Sequence, residues 1–123
     1  MERARTGVVI LLVEDEALIR MLFAEVLADL GHSVAARAGT LASGLALAKA
    51  RDYQLAILDI DLNGKPAFPI ADVVKARGKA LLFVTGHGSS SLAADHEGAA
   101  VLQKPFSRAQ LSHAISSALA RAA

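Results

Sequence analysis

The chain has 123 residues, thirteen basic against twelve acidic side chains, a formal charge of +1, and a composition that is 54% hydrophobic but only 4% aromatic. That length supports one core without staples, and a charge near zero supplies no general attraction for nucleic acid or an anionic membrane surface. The absence of cysteine excludes disulfides, thiolate metal sites and thiol nucleophiles, and is compatible with a reducing cytoplasm.

The N-terminal MERARTG is basic, but the apolar run after it, VVILLV from Val8 to Val13, stops at Glu14-Asp15. A signal core needs roughly 7 to 15 apolar residues and a membrane span about 20. The expectation is a soluble, unexported, cytoplasmic protein with no membrane partner. VVILLV itself reads as a buried strand, and the segment behind it places Leu18, Leu22, Val26 and Leu30 at helical spacing, with Gly31 in the stopping position. Ser33 to Ala38 is a short second strand, after which Thr40 caps a helix bearing Leu41, Leu45 and Leu47 up to about Arg51. QLAILD, ending at Asp59, is the third strand.

A Pro-containing loop, NGKPAFP, leads to a helix of about Ala71 to Arg77 stopped by Gly78, and Lys79 to Thr85 is a fourth buried strand. GHGSSSLAADHEGA, starting at Gly86, has the weakest pattern and reads as a short or mobile helix. Ala99 to Lys104 is a fifth strand ended by Pro105. The last segment places Ser107 and Gln110 at capping-box spacing and Leu111, Ile115, Ala118 and Leu119 along one stripe. Strands alternating with helices in this way predict an α/β fold, a doubly wound five-stranded parallel sheet with helices on both faces. One domain spanning 1–123 is expected, with no residues left for a helix-turn-helix or other output unit.

In such sheets a site forms outside the carboxyl ends of the strands. Strand one ends at Glu14-Asp15, strand three at Asp59, strand four at Thr85 and strand five at Lys104. Each acid alone is an ordinary turn or cap residue, and Asp59 and Asp61 could merely open the Asn63-Gly64 turn. Together they converge on one edge. Carboxylates brought to 4 Å repel by about 4 kcal/mol at an effective dielectric of ~20, unless a proton or a cation intervenes. An oxygen-only set favours Mg²⁺, which completes its shell with water and phosphate oxygens. An ammonium at Lys104 and a hydroxyl at Thr85 suit the remaining oxygens of a phosphoryl group, with a carboxylate as nucleophile.

At these residues the chain resembles the receiver domains of two-component response regulators, across essentially its whole length. The match rests on LLVEDE, LAILDIDL, FVTG and QKPF. The resemblance implies a flavodoxin-like sheet of strand order 2-1-3-4-5. It implies phosphorylation at Asp59, Mg²⁺ held by Asp15 and Asp59 with Glu14 assisting through water and Asp61 lending its backbone carbonyl, and Thr85 and Lys104 on the phosphoryl oxygens. The partners it implies are a histidine kinase or phosphotransfer protein and a downstream protein, with no nucleic acid, and homodimerisation occurs in many receivers. Slow autodephosphorylation, not metabolic catalysis, is the implied chemistry.

Two positions depart from the common pattern. Many receivers carry an aromatic three residues before the lysine, where this chain has Val101. Phe83, Val84, Thr85 and Gly86 instead resemble a Phe-x-Thr-Gly subgroup common among alphaproteobacteria. The signal is therefore expected to pass through the Gly86 to Gly98 segment. His87 lies two residues after Thr85, where receivers vary and influence loss of phosphate, and reads equally as a surface loop histidine. His32, His96 and His113 have no metal-ligand spacing and are expected in solvent, while Phe83 and Phe106 are expected in the core.

The rival enzyme reading is a haloacid-dehalogenase-type phosphatase, which Asp59-x-Asp61 after an apolar strand also resembles. That family places its magnesium acids after the lysine, and nothing from Lys104 onward is acidic. A second rival is a module that keeps the fold but signals without phosphate, against which the intact Asp59, Thr85 and Lys104 set counts.

Overall fold

The computed structural model describes residues 7–86, 96 and 98–122. In chain order the elements are β1 (Val9–Val13), α1 (Ala17–Asp29), β2 (Ser33–Ala38), α2 (Leu41–Ala50), β3 (Leu55–Asp59), the short strands β4 (Asp61–Leu62) and β5 (Lys65–Pro66), α3 (Phe68–Ala76), β6 (Ala80–Thr85), β7 (Ala100–Gln103) and α4 (Arg108–Ala122). The main sheet runs β2-β1-β3-β6-β7 with every neighbouring pair parallel. Counting its five strands alone, this is the expected 2-1-3-4-5 order. No helix among the described residues is long and apolar enough to cross a membrane.

Alternation along the strands divides the core in two. Ile10, Leu12, Ile57, Leu82 and Leu102 face Phe23, Leu27, Leu111 and Ile115 of α1 and α4. Leu11, Val13, Leu58 and Phe83 face Ala48 of α2 and Ile70 and Val74 of α3. The sheet is therefore buried on both faces, which is why its strands are continuous apolar runs rather than alternating ones. Gly44 sets how closely α2 lies to α3, since a Cβ there would stand 2.5 Å from Ile70 Cδ1 and 3.3 Å from Val13 Cγ1.

Four expectations need correction. In α1 the inward face is Phe23, Ala24 and Leu27, with Val26 and Leu30 half-buried, whereas Leu18 and Leu22 are 63% and 49% exposed. The winning stripe, Arg20-Phe23-Ala24-Leu27, has the same period; Phe23 anchors it against Phe106 at 5.2 Å, and Arg20 Nη1 donates to the Glu14 carbonyl at 2.6 Å. The helix α3 starts at Phe68, before the expected Ala71, because Pro69 sits in the first turn, where its missing N–H is no loss.

The stretch read as a loop contains the antiparallel pair β4–β5, with Asn63 at φ 54° and Gly64 at φ 83° forming its two-residue turn. An Asn-Gly pair between extended residues is the local signal for that hairpin. Lastly, His96 is buried and His32 is half-buried, not solvated as expected, while His113 is exposed. The expected helix after Gly86, His87 and the signal path through that segment fall almost wholly outside the described residues.

Candidate functional site

The parity that sorts the core also aims the acids. Leu12, Ile57 and Leu102 belong to the same core face, and Glu14, Asp59 and Lys104 each stand two residues further along the chain, just past the end of β1, at the end of β3 and just past the end of β7. Side chains two apart point the same way, so parallel strands in register deliver these three groups to one rim. The extended backbone continues past the strand ends: Glu14 N–H donates to the Ala38 carbonyl at 3.0 Å, Ile60 N–H to Val84 at 3.0 Å and Lys104 N–H to Thr85 at 2.8 Å. The Lys104–Pro105 peptide is cis.

At the rim, Lys104 Nζ lies 2.9 Å from Glu14 Oε1 and 3.4 Å from Asp59 Oδ2. Glu14, Asp15 and Asp59 each offer a carboxylate oxygen, and these oxygens lie within 4.8 Å of one another. Three carboxylates face one ammonium, so the cluster is short of positive charge. Glu14 is only 1% exposed. Burial raises its carboxyl above the ordinary value, opposed by the hydrogen bonds from Lys104 and from Glu16 N–H and reinforced by the charge of Asp59. Burial alone would lower the Lys104 ammonium, but its bond to Glu14 and the Asp59 charge win and raise it. An under-neutralised set of oxygen donors, one buried and two half-buried, fits a hard divalent cation, with Glu14, Asp15 and Asp59 as the groups to hold it.

Neighbouring backbone fixes the carboxylates. Glu16 N–H donates to Glu14 Oε2 at 3.1 Å, Asp61 N–H to Asp59 Oδ1 at 3.3 Å, and Asn63 N–H to Asp15 Oδ2 at 3.1 Å. The Asp61 carboxylate accepts from Gly64 N–H at 2.7 Å, closing the hairpin turn. Thr85 is the buried last residue of β6, one position beyond Val84, the strand partner of Asp59. The rim therefore gathers Glu14, Asp15, Asp59 and Lys104 directly, with Thr85 on the adjoining strand end. Sequence reasoning missed Arg20 and Asn63, which hold the backbone of Glu14 and the carboxylate of Asp15. Asn63-Gly64 carried a usable turn signal; Arg20, inside a helical run, carried none.

Comparison with known proteins agrees with this arrangement. The response regulator receiver domain model matches residues 10–116. The transcriptional regulatory protein PdtaR of Mycobacterium tuberculosis is 32% identical over 116 residues, covering 91% of this chain and 57% of that protein, so the chain spans little more than half of that curated relative. The solution structure of SdrG from Sphingomonas melonis Fr1 superposes with a TM-score of 0.81 at 32% identity, covering 92% of this chain and 97% of that one. The receiver domain of the Erythrobacter litoralis PhyR response regulator gives 0.78 at 26% identity, covering 92% and 90%. Fold, convergent rim and family match together place this chain in the response regulator receiver domain family.

Proposed function

We propose that the chain accepts a phosphoryl group on Asp59 from a phosphohistidine of a histidine kinase or phosphotransfer protein and that the new charge rebiases contacts with a downstream protein. The observation that carries this reading is the Lys104 ammonium bridging Glu14 and Asp59 inside a three-carboxylate cluster. In the transfer, one Asp59 oxygen forms a P–O bond as the P–N bond of the donor breaks and its electron pair leaves on the imidazole. Lys104 is near enough to follow the transferring oxygens, and Thr85 supplies a hydroxyl from the next strand end. Mg²⁺ at Glu14, Asp15 and Asp59, with the Asp61 carbonyl as a further donor, would neutralise charge on the phosphoryl oxygens.

Asp59 changes from about −1 to nearly −2 on phosphorylation, a local electrostatic event of the kind that shifts a two-state surface. The outward Leu18, Met21 and Leu22 of α1, beginning three residues after Asp15, supply an apolar surface beside the rim for the donor protein. The phosphatase alternative has no support in the family match, and its extra acids after the lysine are missing.

Intact-mass measurement after incubation with acetyl phosphate tests the reading. The expected result is one phosphoryl adduct that requires Mg²⁺ and is absent in Asp59→Asn. An unmodified wild-type chain under those conditions, or an adduct that survives in Asp59→Asn, would refute it.

A further inference from the structure

Glu14 and Asp15 are joined by one planar peptide, so whatever fixes that plane sets the directions from which the two carboxylates reach the rim. Its carbonyl is held from α1, where Arg20 Nη1 donates to Glu14 O at 2.6 Å, a charge-assisted bond. On its other side Glu14 is held from β2, its N–H donating to the Ala38 carbonyl at 3.0 Å.

The end of β2 also seats the arginine. A Cβ built on Gly39, the residue after Ala38, would stand 2.6 Å from Arg20 Nη1, 3.4 Å from Cζ and 3.7 Å from Nη2. The guanidinium thus fills the space that a side chain at position 39 would need. Gly39 is not among the positive-φ glycines, so it is this close approach that calls for glycine there. All three atoms belong to the tip of a flexible side chain, so a methyl group at position 39 displaces the guanidinium and leaves the core in place.

Charge and geometry make opposite demands on Arg20. Bound to the peptide between two acids, its guanidinium repels a cation, and on charge alone its loss would tighten metal binding. On geometry, its loss lets the peptide tilt, the acids start out of alignment, and affinity falls.

We propose, on the reading of the rim as a divalent-cation site, that Arg20 is a positioning residue for Glu14 and Asp15 and that Gly39 provides its seat. A turn that contributes no acid thereby controls cation affinity through one arginine.

The test counts free Mn²⁺, an oxygen-seeking cation like Mg²⁺, by electron paramagnetic resonance in titrations of the full chain. Wild type, Gly39→Ala, Arg20→Met and the double variant are compared, with thermal unfolding in the absence of metal alongside. Gly39→Ala, which leaves every charge in place, should bind about three- to tenfold more weakly, at or below the ~10- to 100-fold that outer partners of ligand side chains are worth. Its metal-free Tm should fall by about 4 °C or less. Arg20→Met should also bind more weakly, against the sign of the charge effect. Adding Gly39→Ala to Arg20→Met should cause no further loss, because both act through the same bond.

A wild type without a Mn²⁺ site that Asp15→Asn abolishes would overturn the cation reading of the rim and this role with it. With that site present, unchanged affinity in Gly39→Ala whatever its Tm, tighter binding by Arg20→Met, or a further loss in the double variant overturns the role of Arg20 alone.

Discussion

Replacing Lys104 by methionine isolates the ammonium at the rim, because the stem keeps its length and apolar contacts while the charge is lost. Glu14 Oε1 and Asp59 Oδ2, now 2.9 and 3.4 Å from Nζ, would face each other and Asp15 without a counter-charge. Removing one partner of a fully buried pair costs about 3 to 5 kcal/mol. Here the Lys104 side chain is 25% exposed, so solvent screens part of that, and Glu14 can relieve more by taking a proton. The expected loss is about 1 to 3 kcal/mol at about pH 7.5, or roughly 4 to 12 °C in Tm.

The pH dependence has a definite sign. Burial, with Asp59 assisting, already holds the Glu14 carboxyl above its ordinary value against the pull of Lys104, and losing the ammonium raises it further. A carboxyl whose folded value is raised binds a proton more readily in the native state, so the deficit is full at neutral pH and shrinks as pH falls toward the ordinary carboxylate range of about 4. Urea unfolding followed by far-UV circular dichroism at about pH 7.5 and about pH 5, with and without Mg²⁺, measures this. The variant should gain more from Mg²⁺ than wild type does. A loss below about 0.5 kcal/mol, or one of equal size at both pH values, would mean the ammonium does not neutralise a buried cluster.

Three further outcomes are expected from unfolding experiments. Thr40→Ala removes a hydroxyl that accepts from Ser43 N–H at 3.0 Å in a reciprocal capping box, and should cost about 1 kcal/mol; a loss within about 0.3 kcal/mol would show that water caps α2 equally well. Gly44→Ala should destabilise by about 1 kcal/mol despite alanine's better helix propensity, because the added methyl displaces the Ile70 Cδ1 end inside a filled core; a gain in Tm would refute the close approach. His32 accepts from Val8 N–H at 3.0 Å, and burial lowers its imidazole below the ordinary value. Its depressed folded value means the unfolded state takes up the proton first, so stability should fall as pH drops below about 6.5. His32→Gln should remove that part of the pH slope, and an unchanged slope would rule His32 out as its source.

The strands and their carboxyl ends were legible because a sheet covered on both faces demands unbroken apolar runs, and because parallel strands must end at one rim. Glu14, Asp59 and Lys104 followed from that geometry alone. The inward face of α1 did not, since Leu18-Leu22-Val26 and Phe23-Ala24-Leu27 satisfy the same period, and only the meeting of Phe23 with Phe106 decides between them. His96 was misread for a different reason. Its surroundings are assembled from Phe68, Asp72 and Phe83, residues that no local pattern ties to it. The hairpin at Asn63-Gly64 was hidden by Pro66 and Pro69, which favour reading the whole stretch as loop, although Pro66 sits in a strand of only two residues.

The tether from Asn63 N–H to Asp15 gives a residue with no acid of its own a share in the cation affinity proposed for the rim. Asn63 occupies left-handed backbone that asparagine tolerates and β-branched residues resist. Exchanging it for valine would distort the tip of the hairpin and free the Asp15 carboxylate to rotate, so that a cation must then freeze a rotor the native fold supplies already aligned. A change at Asn63 alone would thus tune the metal loading proposed for the rim without replacing a ligand.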